Sequence, residues 1–195
     1  MSRCAGLLGR LEAGWKGGLA VLIASGSLAM AAASPPAGAD PAACPHASAQ
    51  AGEASVAQLH RAILCLLNEA RPAVAPLAGD HDLTRIARHH SKTMLGQSCF
   101  EHRCDGEPPL SKRLKRSGYL DGADTWRYAE EIGYESTPSQ MVAAWLAEDD
   151  PAADLLSPKY AEVGIGIKSG SPRPGVDDSR FFTYTVDLAS RKPAP

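Results

Sequence analysis

The fold class of this chain depends on the stretch Glu162-Val163-Gly164-Ile165-Gly166-Ile167-Lys168. Its three β-branched residues alternate with glycine and charged residues, which is the period-two pattern of a half-buried strand. Residues 182–186 alternate in the same way, and residues 169–180, rich in Gly, Pro and Asp, join the two runs. We therefore predict an antiparallel pair of strands with a long loop between them.

The region before this stretch is mainly helical by pattern. Apolar residues recur at helical spacing in it, and Thr137 followed by Pro138 is a typical helix start. The predicted helices are residues 56–71, a helix capped by Asp80 or Asp82 and ended by Gly96, residues 109–118, and a helix from Thr137. A further strand is expected around residues 126–132. Helices covering an antiparallel sheet give an α+β layered domain.

The N-terminus has the pattern of a signal peptide, residues 1–39. Basic residues precede an uncharged apolar run, residues 17–33, and small residues then offer cleavage after Ala33 or, as we favour, after Ala39. Export makes the protein secreted, or extracellular. The alternative is an uncleaved anchor, because the run is close to the length of ~20 residues that spans a bilayer. Such an anchor is the only membrane contact that the sequence predicts.

The rest divides into a Pro/Ala-rich linker, residues 40–54, one domain, residues 55–190, and a tail, residues 191–195. The chain carries 20 Lys and Arg against 22 Asp and Glu, so it is close to neutral. No basic stripe with interleaved aromatic residues is evident, and nucleic acid is therefore not an expected partner. Lys112, Arg113, Lys115 and Arg116 cluster, and we interpret them as the solvated face of the third helix.

Cysteine usage agrees with export. Removal of the signal peptide takes Cys4 with it and leaves four cysteines, which allow three pairings. We favour two disulfides, Cys99 with Cys104 and Cys44 with Cys65, the second joining the linker to the first helix. Free buried thiols are the alternative, although oxidising compartments favour disulfides.

A series of short motifs lies along residues 56–188 in a fixed order and spacing. The main motifs are Leu67-Asn68-Glu69-Ala70-Arg71, Ala87-x-x-His90-Ser91-x-x-Met94, Phe100-x-His102-x-x-Asp105-Gly106, Ala129-Glu130-Glu131-Ile132 and Tyr160-x-Glu162-Val163-Gly164-Ile165-Gly166. Together they resemble the CAP superfamily, the cysteine-rich secretory, antigen 5 and pathogenesis-related proteins with an SCP-like domain, and most closely its small secreted bacterial members. The resemblance implies an α-β-α sandwich with an antiparallel sheet.

The resemblance also implies a cavity with two histidines and two acids, a set that binds zinc in some members. By position, the first histidine is His102 and the acids are Glu130 and Glu148, the latter three residues after Trp145, which also belongs to the cavity. The second histidine is missing, and Pro151 stands in its place. A set of one histidine and two carboxylates would bind a divalent metal weakly, so no cofactor is confidently expected.

His102 is either a functional group or a brace. The disulfide around it would hold it in place, and Glu130 could orient its ring. Strand alternation sends Glu130 and Glu131 to opposite faces, and the family position assigns Glu130 to the cavity. His90 falls on an apolar helix face and is expected to be a hydrogen-bonded core residue.

Two classes of function remain. We favour a secreted, non-catalytic module that binds a small apolar ligand, such as a lipid or sterol, or a partner surface through the cavity around His102. The alternative is a metal-assisted hydrolase or protease using His102, Glu130 and Glu148. The missing second histidine favours the first interpretation.

Overall fold

The computed structural model describes residues 43–176 and 178–193 of the chain. The predicted signal peptide and both of its cleavage sites lie outside these residues. The helices are α1 (Val56–Glu69), α2 (His81–Gln97), α3 (Leu110–Ser117), α4 (Pro138–Leu146) and α5 (Asp149–Leu155). The strands are β1 (Ala78–Gly79), β2 (Ala123–Glu135), β3 (Glu162–Ser169) and β4 (Phe182–Pro193), and a 3-10 turn spans Asp178–Arg180.

The strands form one mixed sheet in the order β1-β3-β4-β2. The long strands β3 and β4 pair antiparallel, as the sequence predicts, and β2 pairs antiparallel with β4 to form one edge. The two-residue β1 adds a parallel neighbour to β3 at the other edge. Nothing in so short a segment signals a strand, because two residues show no alternation.

The two faces of β3 are covered by different helices, and its alternating sequence explains why. Val163, Ile165 and Ile167 join the larger core, which α1 and α4 complete. Gly164 and Gly166 face α2: a Cβ on Gly164 would lie 2.1 Å from the Leu83 carbonyl carbon, and one on Gly166 2.2 Å from the Ala87 oxygen. Helices on both faces form the predicted α-β-α sandwich of an α+β domain.

Helix boundaries follow local capping, with one departure from the prediction. Asp80 caps α2 by accepting from the Leu83 N–H. The helix continues through Gly96 and ends at Ser98, which adopts the left-handed conformation at φ 49°. Asp149 and Asp150 lie in the first turn of α5, where negative charge is favoured.

Two disulfides are present among the described residues, Cys44–Cys65 and Cys99–Cys104, with Cα atoms 5.7 and 5.9 Å apart. These are the pairings that the sequence favours. The first ties the segment before α1 to that helix, and Cys44 and Ala47 are buried in the larger core. At the other end, the sequence boundary at residue 190 falls inside β4. Within the described residues, no helix is long and apolar enough to cross a membrane.

Candidate functional site

His102 lies on the loop between α2 and α3, inside the Cys99–Cys104 disulfide. Its Nδ1 is 3.2 Å from the Glu130 Oε1, and its side chain is 61% exposed. The preceding Phe100 packs edge-on against Tyr134 of β2, with ring centroids 5.2 Å apart. The disulfide loop therefore packs against the edge strand β2 through two contacts, Phe100 with Tyr134 and His102 with Glu130.

Glu130 is buried on the α2 and α3 side of β2. Arg113 of α3 donates from Nη2 to the Glu130 Oε2 at 2.7 Å, with both side chains at most 5% exposed. Burial by itself raises the pKa of Glu130. The hydrogen bond from His102 and the charge of Arg113 lower that pKa by more than burial raises it, so the net shift is downward. Glu130 in turn raises the pKa of His102 through their hydrogen bond. The pair thus favours an imidazolium beside a carboxylate.

The interpretation of Arg113 as part of a solvated helix face is wrong. Its side chain is buried with Leu114, because that side of α3 packs against the sheet and α2. A charge in such a position needs a partner, and the Glu130 carboxylate supplies one. The neighbouring Lys112, Lys115 and Arg116 are exposed, as expected.

His90 is fully buried on α2 and hydrogen-bonded, as predicted. Its Nδ1 is 2.7 Å from the Glu107 Oε2, and its Nε2 is 3.9 Å from the Glu130 Oε1. Sequence reasoning missed Glu107, which lies in the irregular segment before α3, where no periodicity indicates which side chains are buried.

Asp187 of β4 is a second residue that sequence reasoning missed. It pairs with Glu130 across β2 and β4, is 1% exposed, and neither of its carboxyl oxygens has a hydrogen-bond partner among the described residues. Burial, and next the negative charge of Glu130, raise its pKa well above the ordinary value. We call these five residues, His90, Glu107, Arg113, Glu130 and Asp187, the buried polar cluster.

Glu131 points to the opposite face of β2 and lines an open cavity. Alternation separates it from Glu130 as predicted, but Glu131, not Glu130, lies on the cavity wall. Burial raises the pKa of Glu131 to about 7, with a further contribution from the charge of Asp154. The family position identified Glu130, the carboxylate that hydrogen-bonds to His102, while the adjacent Glu131 faces the cavity.

The cavity encloses about 650 Å³ on the α4 and α5 side of the strand edge. Three of the predicted site residues, His102, Trp145 and Glu148, line it together with Pro151. Trp145 is fixed there because its Nε1 donates to the Ile132 carbonyl at 3.0 Å. The other lining residues are Phe100, Glu101, Glu131, Ile132, Gly133, Tyr134, Glu135, Met141 and Ala144.

The structure does not gather the candidate metal ligands. Among the described residues, one group of three His, Cys, Asp or Glu has ligand atoms within 4.8 Å of one another: Cys44, Cys65 and Glu69. Its thiols are joined in a disulfide and cannot act as thiolate ligands. His102 and Glu130 are adjacent, whereas Glu148, at the N-cap of α5, does not form such a group with them.

The described residues form an α-β-α sandwich. The His102–Glu130 pair lies at the edge of its sheet, beside an open cavity. The chain belongs to the Cysteine-rich secretory protein family, CAP, whose family model matches residues 64–187. This confirms the resemblance carried by the motifs.

The chain is similar to several bacterial proteins. The uncharacterised protein YkwD of Bacillus subtilis is 25% identical over 122 residues, 60% of this chain and 46% of that protein. An extracellular SCP-domain protein of Bacillus anthracis is 22% identical with a TM-score of 0.52, covering 70% of this chain and 44% of that one. An outer surface protein of Borrelia burgdorferi is 18% identical with a TM-score of 0.51, covering 65% and 87%. The chain spans less than half of the first two relatives, and the structural likenesses show the fold alone.

Proposed function

We propose that this protein is a secreted, non-catalytic CAP module that binds a small, largely apolar ligand in the cavity beside His102. The observation that carries the proposal is the cavity itself. Its volume of about 650 Å³ is in the range of small-molecule sites, about 300–1,000 Å³. Apolar side chains, including Phe100, Ile132 and Trp145, form much of its wall.

Three observations support secretion. The sequence has a signal-peptide pattern, and two disulfides are present, which persist in oxidising compartments. Two structural relatives are an extracellular protein and an outer surface protein, respectively.

The charge of the cavity narrows the ligand class. Four acidic side chains, those of Glu101, Glu131, Glu135 and Glu148, line it against one imidazole, that of His102, and Glu131, with a pKa of about 7, is partly ionised near neutral pH. A ligand with a negative head group would meet repulsion there, whereas an apolar ligand with a cationic group would be attracted. We therefore favour a cationic amphiphile over an anionic lipid.

The arrangement of Glu130 supports binding rather than catalysis. Its carboxylate is shared between His102 and Arg113 and does not line the cavity. Since Glu130 raises the pKa of His102, it reduces the share of neutral imidazole that could act as a general base near neutral pH. A hydrolase using His102, Glu130 and Glu148 would need the three to converge, and their ligand atoms do not.

The test compares three ligands with the same apolar chain. We expect calorimetric titration of the exported protein, below the micelle concentrations, to rank decyltrimethylammonium above decanol and decanol above decyl sulfate. Glu148→Gln should weaken binding of the ammonium ligand about fivefold, as the loss of one partly screened charge predicts, and leave decanol unchanged.

Glu53→Gln is the matched control, because Glu53 is exposed outside the cavity and its amide replacement can still accept from the Gln50 N–H. His102→Ala should retain binding of decanol. Equal affinity for the three ligands would contradict the charge argument. Hydrolysis of an ester substrate that disappears in His102→Ala would contradict the non-catalytic assignment.

A further inference from the structure

One half of the edge strand β2 is uncovered. Residues 124–128 are exposed one after another, whereas residues 129–135 are buried or half-buried. The disulfide loop covers that second half, with Phe100 packed on Tyr134. An edge strand without a neighbour presents a row of backbone groups that can pair with another chain. We call residues 124–128 the open edge.

The backbone of the open edge offers hydrogen-bonding groups to a new strand. Tyr128 pairs with Ala189 of β4, but the Ala189 carbonyl accepts from the Ala161 N–H on the β3 side. The N–H and C=O of one residue leave an antiparallel strand on the same side, so Tyr128 directs both groups away from β4. Trp126, two residues earlier, does the same. The Ile132 carbonyl, in the same phase, accepts from an α4 side chain.

No other part of the described chain uses these groups. Among the described residues, the open edge makes no backbone hydrogen bond outside its pairing with β4. The open edge contains no proline, and its Thr, Trp and Tyr residues favour extended structure. It is therefore suited to accept a second strand.

Two aromatic rings of the open edge lack a cross-strand neighbour on the outer side. Trp126 and Tyr128 are each 40% exposed and share one face of β2. Lys115 of α3 reaches the Trp126 ring, with its Nζ 5.8 Å from the centroid, and the ring remains exposed. Aromatic pairs are among the favourable contacts between paired strands, so a strand on this edge would cover both rings.

We propose that the open edge pairs antiparallel with the open edge of a second copy, with Trp126 opposite Trp126 on a two-fold axis. Such an interface uses the same residues on both copies and closes as a dimer. Because Trp126 directs its N–H and C=O outward, the two central residues exchange a pair of N–H···O bonds. The two four-stranded sheets then become one continuous sheet with the β2 strands at its centre.

The open edge is complementary to itself in this register. Trp126 is its middle residue, so the whole of the open edge is paired. Thr125 of each copy lies opposite Arg127 of the other. Asp124 comes opposite Tyr128 in the same way. No two like charges therefore face each other across the strands, and the central contact is between two aromatic rings.

The neighbouring registers are less favourable. One centred on Arg127 would place two guanidinium groups opposite each other, and like charges in that position are destabilising. One centred on Tyr128 would run into the covered half of β2, where the Ile132 carbonyl is already bonded. The inference rests on the edge of β2 and not on the ligand of the cavity.

Sedimentation velocity of the processed, exported protein tests the dimer. We expect a concentration-dependent equilibrium between about 1 μM and about 1 mM, because so short a pairing is smaller than a standard interface. Trp126→Lys should weaken dimerisation about tenfold, since it removes the ring pair and places two like charges opposite each other. Trp126→Glu should do the same. An equimolar mixture of these two variants should form a heterodimer.

Cysteine substitutions measure the register directly. In Trp126→Cys the Cα atoms of the new pair would lie about 5.5 Å apart, within the range of a disulfide. Tyr128→Cys is the matched control, because its two new cysteines would be about 13 Å apart along the strands. With oxidised glutathione as the electron acceptor, Trp126→Cys should form a covalent dimer and Tyr128→Cys should not. Peptide mapping by mass spectrometry checks that the two native disulfides are unchanged.

Leu156→Lys adds a charge at another exposed apolar residue, and it should dimerise as the wild type does. Circular dichroism of each variant confirms that a lost dimer is not lost folding. Three results would overturn the proposal. One is a monomer at every concentration, which would leave the open edge to a different partner. Another is a dimer of equal affinity in the wild type and Trp126→Lys. The last is cross-linking of Tyr128→Cys as efficient as that of Trp126→Cys.

Discussion

Asp187 lies directly opposite Glu130 in the pairing of β4 with β2, and both carboxyl groups are buried on the face that α2 and α3 cover. Two ionised carboxylates in such a position repel each other and lose their hydration. Glu130 accepts hydrogen bonds from Arg113 and His102, which stabilise its charge, whereas the charge of Arg113 only partly offsets the burial of Asp187 and the repulsion from Glu130. Asp187 is therefore the group that keeps its proton.

Asp187→Asn should stabilise the protein increasingly as the pH rises. Folding raises the pKa of Asp187, so the folded protein is destabilised when this group would ionise in the unfolded chain. This free-energy cost is absent below the unfolded-state pKa of about 3.9 and grows until the pH reaches the native-state pKa. The gap in unfolding free energy between variant and wild type should widen by about 1.4 kcal/mol per pH unit in that interval.

Urea denaturation at several pH values between 4 and 8 measures this gap. Asp124→Asn removes an exposed acid on the paired strand β2 as a control, and it should not reproduce the widening gap. A gap for Asp187→Asn that narrows with rising pH would show that Asp187 is ionised in the native protein.

Arg113→Met should lower the free energy of unfolding by about 3–5 kcal/mol, because it leaves the buried Glu130 carboxylate without its cation. Arg116→Met changes an exposed arginine of the same helix and should alter stability by no more than about 0.5 kcal/mol. Chemical denaturation at neutral pH compares the two variants. Equally small effects of the two variants would mean that the buried Arg113–Glu130 ion pair does not contribute to stability.

Gly166→Ala should destabilise the protein by more than about 3 kcal/mol, because the new methyl group would meet the Ala87 backbone oxygen at 2.2 Å. To make room, β3 and α2 would have to move apart, which would disrupt the packing of this helix against the sheet. Gly96→Ala is the control: its Cβ would meet nothing within 4 Å, and alanine favours the helix by up to about 1 kcal/mol. Thermal unfolding and soluble yield distinguish the two, and a stable Gly166→Ala would contradict the close packing.

Glu131 should make binding in the cavity depend on pH. Since its pKa is about 7, it gains a negative charge between pH 6 and 8, and affinity for decyltrimethylammonium relative to decanol should rise up to about fivefold. Glu131→Gln should reduce the rise. His102→Ala should retain it, which separates the contribution of Glu131 from deprotonation of His102. A wild-type ratio that stays constant would place the ligand's cation away from Glu131.

The strand at residues 162–168 and the four longer helices could be predicted because each depends on local chemistry. Alternation, capping residues and proline positions act over a few residues of chain, so they can be recognised without knowing the neighbours. The same locality explains the error at Gly96. A helix end depends on which competing cap forms, and Ser98 supplied one two residues further on.

The buried polar cluster could not be predicted in full. On β4, Asp187 follows the alternation of the strand and resembles a solvent-facing acid, and Arg113 resembles one of four surface cations. Both are buried because a second layer of helices covers that face of the sheet. Alternation specifies which residues share a face, not whether the face meets water or another helix.

The sequence by itself determined the family, the α-β-α layering and the fact that Glu130 and Glu131 lie on opposite faces of their strand. Only the tertiary structure decided that Glu131 lines the cavity, and that the ligand atoms of His102, Glu130 and Glu148 do not converge. The physical reason is distance. Spacing along the chain specifies direction within one element, whereas the convergence of side chains depends on how separate elements pack.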